Sequence, residues 1–175
     1  MNAQLIKLSL FKAGWLAAVF AAAASLPILG TAVIGIAVAV HLWQSDEPRD
    51  ELLLLTLAAA VGFVWESLLV YAGIVQYGPN TALAATAPYW IVAMWVLFAT
   101  TLNVGMRWLR KNLLVASLFG GLGGPMSFLA GEKAGAVTFP DTSIALVVIG
   151  LGWAVLLPLL VRFAARNDEH VAVAA

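Results

Sequence analysis

The sequence predicts an all-α fold, a polytopic membrane helix bundle of six transmembrane helices with the N- and C-termini cytoplasmic. Hydrophobic residues make up 63% of the 175-residue chain and charged residues 10%, whereas a soluble domain needs far more polar residues to cover its core. Apolar stretches recur along the whole chain, each near the ~20 residues that cross a bilayer as a helix. They are continuous and do not alternate with period two, so a strand barrel is not expected.

The apolar stretches form a single integral-membrane domain over residues 1–175. We predict spans at about 8–25, 26–43, 51–73, 88–109, 112–131 and 142–165. The breaks between them carry turn residues or charge. The motif SLP (25–27) is a tight turn whose proline can open the second helix, and Asp141 or Thr142 is expected to cap the sixth helix.

Lysine and arginine positions predict the orientation, because short cytoplasmic loops carry an excess of both residues. With the N-terminus cytoplasmic, only Lys133 lies outside. The other eight then lie inside: Lys7, Lys12, Arg49, Arg107, Arg110, Lys111, Arg162 and Arg166. A cleaved signal peptide is the alternative for the first span, because lysines before an Ala-rich apolar stretch are typical of one.

Composition excludes several classes of function. The formal net charge is zero, so no nucleic-acid partner is expected. The chain has no cysteine, which excludes disulfides, thiolate metal sites and a cysteine nucleophile. Its two histidines are too few for the His cluster of a membrane di-iron enzyme. We find no catalytic motif, so an enzyme is the less favoured interpretation, and we predict no cofactor and no metal site.

Glu66 is an acid inside the apolar run VGFVWESLLV (61–70). It lies fifteen residues into the third span, ~22 Å from the start of that span. An ionised acid is costly against lipid, so we expect Glu66 to face the bundle, on one stripe with Gly62 and Gly73. The acid is either protonated and hydrogen-bonded or paired with a cation, for which Lys133 is the candidate. It serves as a polar latch between helices or acts directly in binding or proton transfer.

A second polar group lies in FATTLNVGMRWLRK (98–111), near the cytoplasmic end of the fourth span. Thr100 and Asn103 can hydrogen-bond across helices. Arg107 can extend to lipid phosphates at the membrane surface. These residues are either helix contacts followed by a charge cluster that sets topology, or a pocket for a lipid headgroup.

The segment GGLGGPMSFLAGEKAG (120–135) is rich in glycine. Gly120 and Gly124 form a small-xxx-small pair, which is typical of close helix packing in membranes. Pro125 removes a backbone donor and frees a carbonyl. We therefore expect close packing or a kink here, or alternatively a discontinuous helix that lines a site together with Ser127. Pro125 lies at nearly the same depth as Glu66, which points to a shared site.

Five segments carry a resemblance to a known family: FKAGWLAAV (11–19), ESLLVYAG (66–73), APYWIVAMWVLFATTLN (87–103), GGPMSFLAG (123–131) and GAVTFP (135–140). In this order and spacing they resemble a bacterial family of small multi-pass inner-membrane proteins catalogued only as a domain of unknown function. WVLFATTLN and GGPMSFLAG are the specific part. The resemblance covers nearly the whole chain. It implies a retained first span, a helical inner-membrane protein and no established activity, with genes often near those for lipid modification.

The chain departs from that family at two positions. Val104 stands where the family commonly has a histidine, and Glu66 stands where it commonly has an aspartate. A metal or proton role through the missing histidine is therefore not expected in this chain. The acid, Asn103 and the GGP turn are present, which leaves a shared buried polar site as the expectation.

These observations favour an accessory membrane protein that binds a lipid or acyl intermediate during lipid modification. The candidate ligand-binding residues are Glu66, Thr100, Asn103, Arg107, Gly124, Pro125, Ser127 and Lys133. Expected partners are the lipid bilayer, a lipid ligand, and a second copy of the chain or a lipid-modifying enzyme. The alternatives are a small-solute or proton-coupled transporter and a structural subunit of a membrane complex. A lipid site should open sideways to the bilayer, whereas a solute path should open to water.

Overall fold

A computed structural model describes residues 3–78 and 86–174. These described residues form six α-helices: α1 (Ala3–Ala23), α2 (Pro27–Trp43), α3 (Pro48–Tyr71), α4 (Tyr89–Ala99), α5 (Leu113–Lys133) and α6 (Thr142–Ala174). Two short strands, β1 (Gln76–Tyr77) and β2 (Val137–Thr138), and a 3-10 helix, Arg107–Lys111, complete it. The predicted all-α class is confirmed. The predicted loop between the third and fourth spans lies partly outside the described residues.

In the part of the chain that the structure describes, four helices are long and apolar enough to cross a membrane: α1, α3, α5 and the part of α6 from Thr142 to Arg166. Helices α2 and α4 are also apolar but shorter, with 17 and 11 residues. Large apolar side chains such as Phe20, Leu118 and Leu151 are exposed on the outer faces of the bundle. An apolar exterior of this kind requires a lipid environment, because a soluble protein rarely exposes large contiguous apolar patches.

The structure differs from the predicted fourth span, 88–109, because helix α4 ends at Ala99. The hydroxyls of Thr100 and Thr101 donate to carbonyls three residues earlier, at 2.6 and 2.7 Å. Backbone N–H groups of the same residues also bond three residues back, which tightens the last turn and stops the α-helix. Both threonines are buried, so protein covers this irregular backbone, as a membrane setting requires.

Helix starts follow the local sequence. Pro27 is the first residue of α2, as the SLP motif predicts. Asp141 caps α6, because its Oδ1 accepts the N–H of Ile144 at 3.0 Å. Asn112 caps α5 in the same way, with its side chain accepting two backbone N–H groups. Each cap satisfies donors that have no partner within the helix.

Two glycines turn the chain out of helices α3 and α5 and into the strands. Gly73 and Gly135 have φ of +67° and +85°. In both turns the glycine N–H and the N–H after it bond back to carbonyls of the last helical turn, which is the Schellman arrangement. The strands that follow then pair antiparallel, with Tyr77 opposite Val137.

The helices run alternately up and down. Helix α1 packs against α2, and α5 packs against α6, while α3 and α4 lie between these two pairs. Helix α4 contacts the first pair and α3 contacts α6. The largest core cluster of the described residues joins α3, α4 and α6 through buried residues that include Leu54, Trp95 and Leu157. We name the end of the bundle with β1 and β2 the ladder end, and the end with Arg107–Lys111 the 3-10 end.

Candidate functional site

The carboxyl group of Glu66 is fully buried and accepts two hydrogen bonds. The Tyr77 hydroxyl donates to Oε2 at 2.7 Å, and the indole N–H of Trp95 donates to Oε1 at 2.9 Å. Burial and the Glu66 carboxyl beside it raise the pKa of the Tyr77 phenol well above its usual value, so it stays a donor. The expectation that Glu66 faces the bundle is confirmed. Its partners are two neutral donors, whereas the side chain of Lys133 is exposed.

Glycines on α3 and α5 make room for the tryptophans around Glu66. A Cβ on Gly62 would lie 2.2 Å from Cγ of Trp95, and one on Gly124 would lie 2.4 Å from Cγ of Trp153. The two indole rings stack on each other, with centroids 4.6 Å apart. The small residues of the stripe thus let large rings approach the helix backbones closely.

A cavity of about 290 Å³ adjoins Glu66, near the lower end of the ~300–1,000 Å³ typical of small-molecule sites. It lies between α1 and α4 on one side and α5 and α6 on the other. Its wall is mainly apolar and aromatic, and the lining residues with polar side-chain atoms are Glu66, Tyr77, Ser127 and the tryptophans. The other lining residues are Phe11, Trp15, Val19, Trp90, Ile91, Met94, Trp95, Phe98, Met106, Phe119, Gly120, Gly123, Gly124, Phe128, Gly131, Ala136, Val137, Trp153 and Leu157.

A gap between α1 and α5 borders the cavity. Both helices line it, yet each packs mainly against other helices and the two make no extensive contact along their described lengths. Gly123 and Ser127 are exposed on α5, and a Cβ on Gly123 would meet no atom within 4 Å. At the ladder end the gap closes, because Ala23 lies 3.8 Å from a Cβ built on Gly135.

A separate polar chain lies at the 3-10 end. Glu51 Oε2 lies 3.1 Å from Nε2 of His41, and its Oε1 accepts the side-chain amide of Asn103 at 2.8 Å. Arg110 in turn donates to Oδ1 of Asn103. His41 is buried, with 3% of its surface exposed. The chain of bonds ties α2, α3 and the segment after α4 to one another.

A family model described as "Protein of unknown function (DUF2878)" matches residues 4–159. The chain belongs to this family. The predicted membership of a family catalogued only as a domain of unknown function is thereby confirmed. The match includes every residue that lines the cavity and the whole polar chain at the 3-10 end. No curated protein and no solved structure matches the chain significantly.

Three of the predicted site residues of this DUF2878 member line the cavity together: Glu66, Gly124 and Ser127. Pro125 lies behind them, with its Cγ 3.2 Å from a Cβ built on Gly150 of α6. Helix α5 continues through Pro125 without a break. Of the two alternatives for this segment, the structure therefore has close packing and not a discontinuous helix.

The structure places the other four predicted residues away from the cavity lining. Thr100 bonds back to its own helix, and Asn103 belongs to the polar chain at the 3-10 end. Arg107 is exposed in the 3-10 helix, and Lys133 is exposed in the last turn of α5. The single pocket expected from the sequence is thus two separate groups of residues.

Sequence reasoning missed Tyr77 and Trp95 as partners of Glu66, and Trp153 as a wall of the cavity. One signal could have found the tryptophans: a span with a small-residue stripe needs a large side chain opposite it. Within 3–78 and 86–174, no three His, Cys, Asp or Glu side chains gather in a way that could hold a metal ion. The arrangement can hold an apolar group beside a buried carboxyl, and its donors can orient one oxygen atom.

Proposed function

We propose that this protein is an accessory membrane protein of the bacterial inner membrane that binds a lipid or acyl intermediate for lipid-modifying enzymes. The cavity beside Glu66 is its binding site. The observation that carries the proposal is the gap between α1 and α5 beside a mainly apolar cavity, because in a bilayer such a gap faces acyl chains. A largely apolar wall with few polar groups is what such a ligand requires.

We also propose the six-span topology with both termini in the cytoplasm. The 3-10 end, with Arg107, Arg110 and Lys111, then lies at the cytoplasmic surface, in agreement with the positive-inside rule. The ladder end lies outside, so Glu66 is in the outer half of the membrane. A small-solute path is less favoured, because it would be lined by polar groups and open to water.

Native mass spectrometry of lipids retained by the purified protein tests the binding site. The cavity is filled by Gly123→Leu, whose new side chain starts in open space at the cavity mouth. The matched control is Gly35→Leu, at an exposed glycine in the middle of α2 that also has no atom within 4 Å of its built Cβ. Both variants gain helix propensity by ~1 kcal/mol, so their stability changes are comparable.

We expect wild type and Gly35→Leu to retain the same lipid adducts and Gly123→Leu to lose them. Equal retention by all three proteins would contradict a binding site in this cavity. Lipidomics of a strain that lacks the gene tests the accessory role. We expect a change in membrane lipids that wild type restores and Gly123→Leu, at equal abundance, does not; an unchanged lipid profile would contradict that role.

A further inference from the structure

The polar atoms of the cavity are concentrated toward one end of its length. Along α5 the lining runs from Phe119 to Gly131, a separation of twelve positions or ~18 Å of helix. Tyr77 and Glu66 lie toward the ladder end. Toward the 3-10 end the lining side chains are Phe11, Phe98, Met106, Phe119 and Leu157, all apolar. A ligand that matches this wall has a long hydrocarbon tail and one polar end.

The charges of the residues that line the cavity restrict the chemistry of the ligand's polar end. None of the described residues that line the cavity is Lys, Arg or His, and Glu66 is its acid. A carboxylate or phosphate placed there would lose its hydration without gaining a cation. It would also lie near a carboxyl group of the same sign when Glu66 is ionised. An anionic headgroup is therefore disfavoured within the cavity.

Two residues that line the cavity, Trp153 and Ser127, carry a hydrogen-bond donor. The indole N–H of Trp153 is buried without a hydrogen-bond partner in the part of the chain that the structure describes. The hydroxyl of Ser127 lines the same cavity. A buried donor without a partner costs ~1–3 kcal/mol, so a ligand oxygen that accepts the indole N–H gains this energy on binding. The carboxyl of Glu66 already holds two donors of its own.

We propose that the cavity selects an uncharged lipid end: a long hydrocarbon chain that carries a neutral acceptor oxygen, as in an ester, an aldehyde or an alcohol. The oxygen accepts from Trp153, with Ser127 beside it, and the chain extends toward the 3-10 end. Fatty-acid anions and phosphate headgroups stay outside. This inference rests on the proposed lipid-binding function and names the ligand class of the same site.

Intrinsic fluorescence gives a direct test, because four of the seven tryptophans line the cavity: Trp15, Trp90, Trp95 and Trp153. The probes are methyl dibromostearate and dibromostearic acid, whose bromine atoms quench indole emission. Each is titrated into the full-length protein in nanodiscs, at a pH at which the free acid is ionised. We expect saturable quenching by the ester with at least ~tenfold higher affinity than by the acid, a difference equivalent to ~1.4 kcal/mol.

Variants separate the possible results. Gly123→Leu should abolish saturable quenching by the ester, and the control Gly35→Leu should preserve it. Ser127→Ala removes one donor with little change in volume, and Trp153→Phe removes the other together with part of the ring; each should weaken ester binding several-fold. Unchanged ester affinity in both donor variants would overturn the assigned hydrogen bonds.

Two further outcomes are distinct. If the acid binds as tightly as the ester, and Gly123→Leu abolishes both, the cavity binds lipid and the preference for an uncharged end is refuted. If neither probe gives saturable quenching that Gly123→Leu removes, the proposed lipid-binding function itself fails. Ester binding that is tighter, saturable and sensitive to Gly123→Leu supports both.

Discussion

Gly62 leaves the space that the indole ring of Trp95 occupies. A Cβ at residue 62 would lie 2.2 Å from Cγ of that ring, and the ring placed there donates to Oε1 of Glu66 at 2.9 Å. Gly62 and Glu66 are four residues apart on α3 and so lie on the same face. One turn of helix therefore supplies both the room for the ring and the acceptor for its N–H group.

Gly124 on α5 likewise leaves space for the indole ring of Trp153 on α6. This packing predicts how the neighbouring glycines Gly123 and Gly124 respond to substitution by alanine. Gly124→Ala places a methyl group 2.4 Å from Cγ of Trp153 and should lower the free energy of unfolding by ~1–3 kcal/mol. Gly123→Ala meets no atom within 4 Å and should be neutral or stabilising by up to ~1 kcal/mol. Thermal unfolding in detergent measures both, and equal midpoints for the two variants would refute the packing described for Trp153.

Replacement of Glu66 tests the role of its two donors in stability. Glu66→Leu leaves the Tyr77 hydroxyl and the Trp95 N–H without their acceptor, at a cost of ~1–3 kcal/mol for each buried group. Glu66→Gln keeps a carbonyl oxygen for one donor and should be milder. We expect the order of melting temperatures wild type, Gln variant, Leu variant. A Leu variant as stable as wild type would show that these bonds contribute nothing net.

The polar chain at the 3-10 end should act independently of the cavity. Asn103→Ala removes the bonds to Glu51 and Arg110, so we expect a loss of ~1–3 kcal/mol in stability. Amide hydrogen exchange should accelerate over residues 100–112 and stay unchanged around Glu66. The control is Thr56→Ala, an exposed threonine whose hydroxyl bonds within its own helix. Faster exchange at both ends of the bundle would indicate that the two groups are coupled.

The proposed orientation is testable because the chain has no cysteine. Single cysteines at two exposed positions, Asp46→Cys between α2 and α3 and Thr138→Cys in β2, are treated with a membrane-impermeant maleimide on intact spheroplasts. We expect labelling at residue 138 before lysis and at residue 46 only after lysis. The reverse pattern would invert the topology, and labelling of both before lysis would contradict the assignment of opposite sides.

The features that depend on composition and local pattern could be predicted from the sequence. Burial of Glu66 follows from its apolar neighbours and from Gly62 one turn away, and the caps follow from Pro27 and Asp141. Hydropathy did not predict the end of α4 at Ala99, because Thr100 and Thr101 are themselves compatible with a membrane helix. What ends the helix is the return of their hydroxyls to its carbonyls.

The composition of the cavity was harder to predict, because it depends on which helices meet. Glu66 and Ser127 line the same cavity because α5 packs on α6. This packing brings the cavity-lining face of α5 opposite α1. The equal depth of Glu66 and Pro125 pointed to a shared site, and residues of both spans line one cavity. Asn103 was also expected in that pocket, although it is predicted near the cytoplasmic end of its span; the turn after α4 instead places it beside Glu51. Which helices contact each other decides that the cavity and the polar chain at the 3-10 end are separate. No local sequence pattern encodes these contacts.

The β1–β2 ladder makes the cavity a late product of biosynthesis. It joins residues 62 positions apart, whereas the bond from Trp95 to Glu66 spans 29 positions. Because a chain is made from its N-terminus, Glu66 leaves the ribosome first, then Trp95, and last the helix and strand that form the opposite wall. A nascent chain that stops before β2 contains Glu66 and its indole partner Trp95 but lacks part of the wall of the cavity beside them.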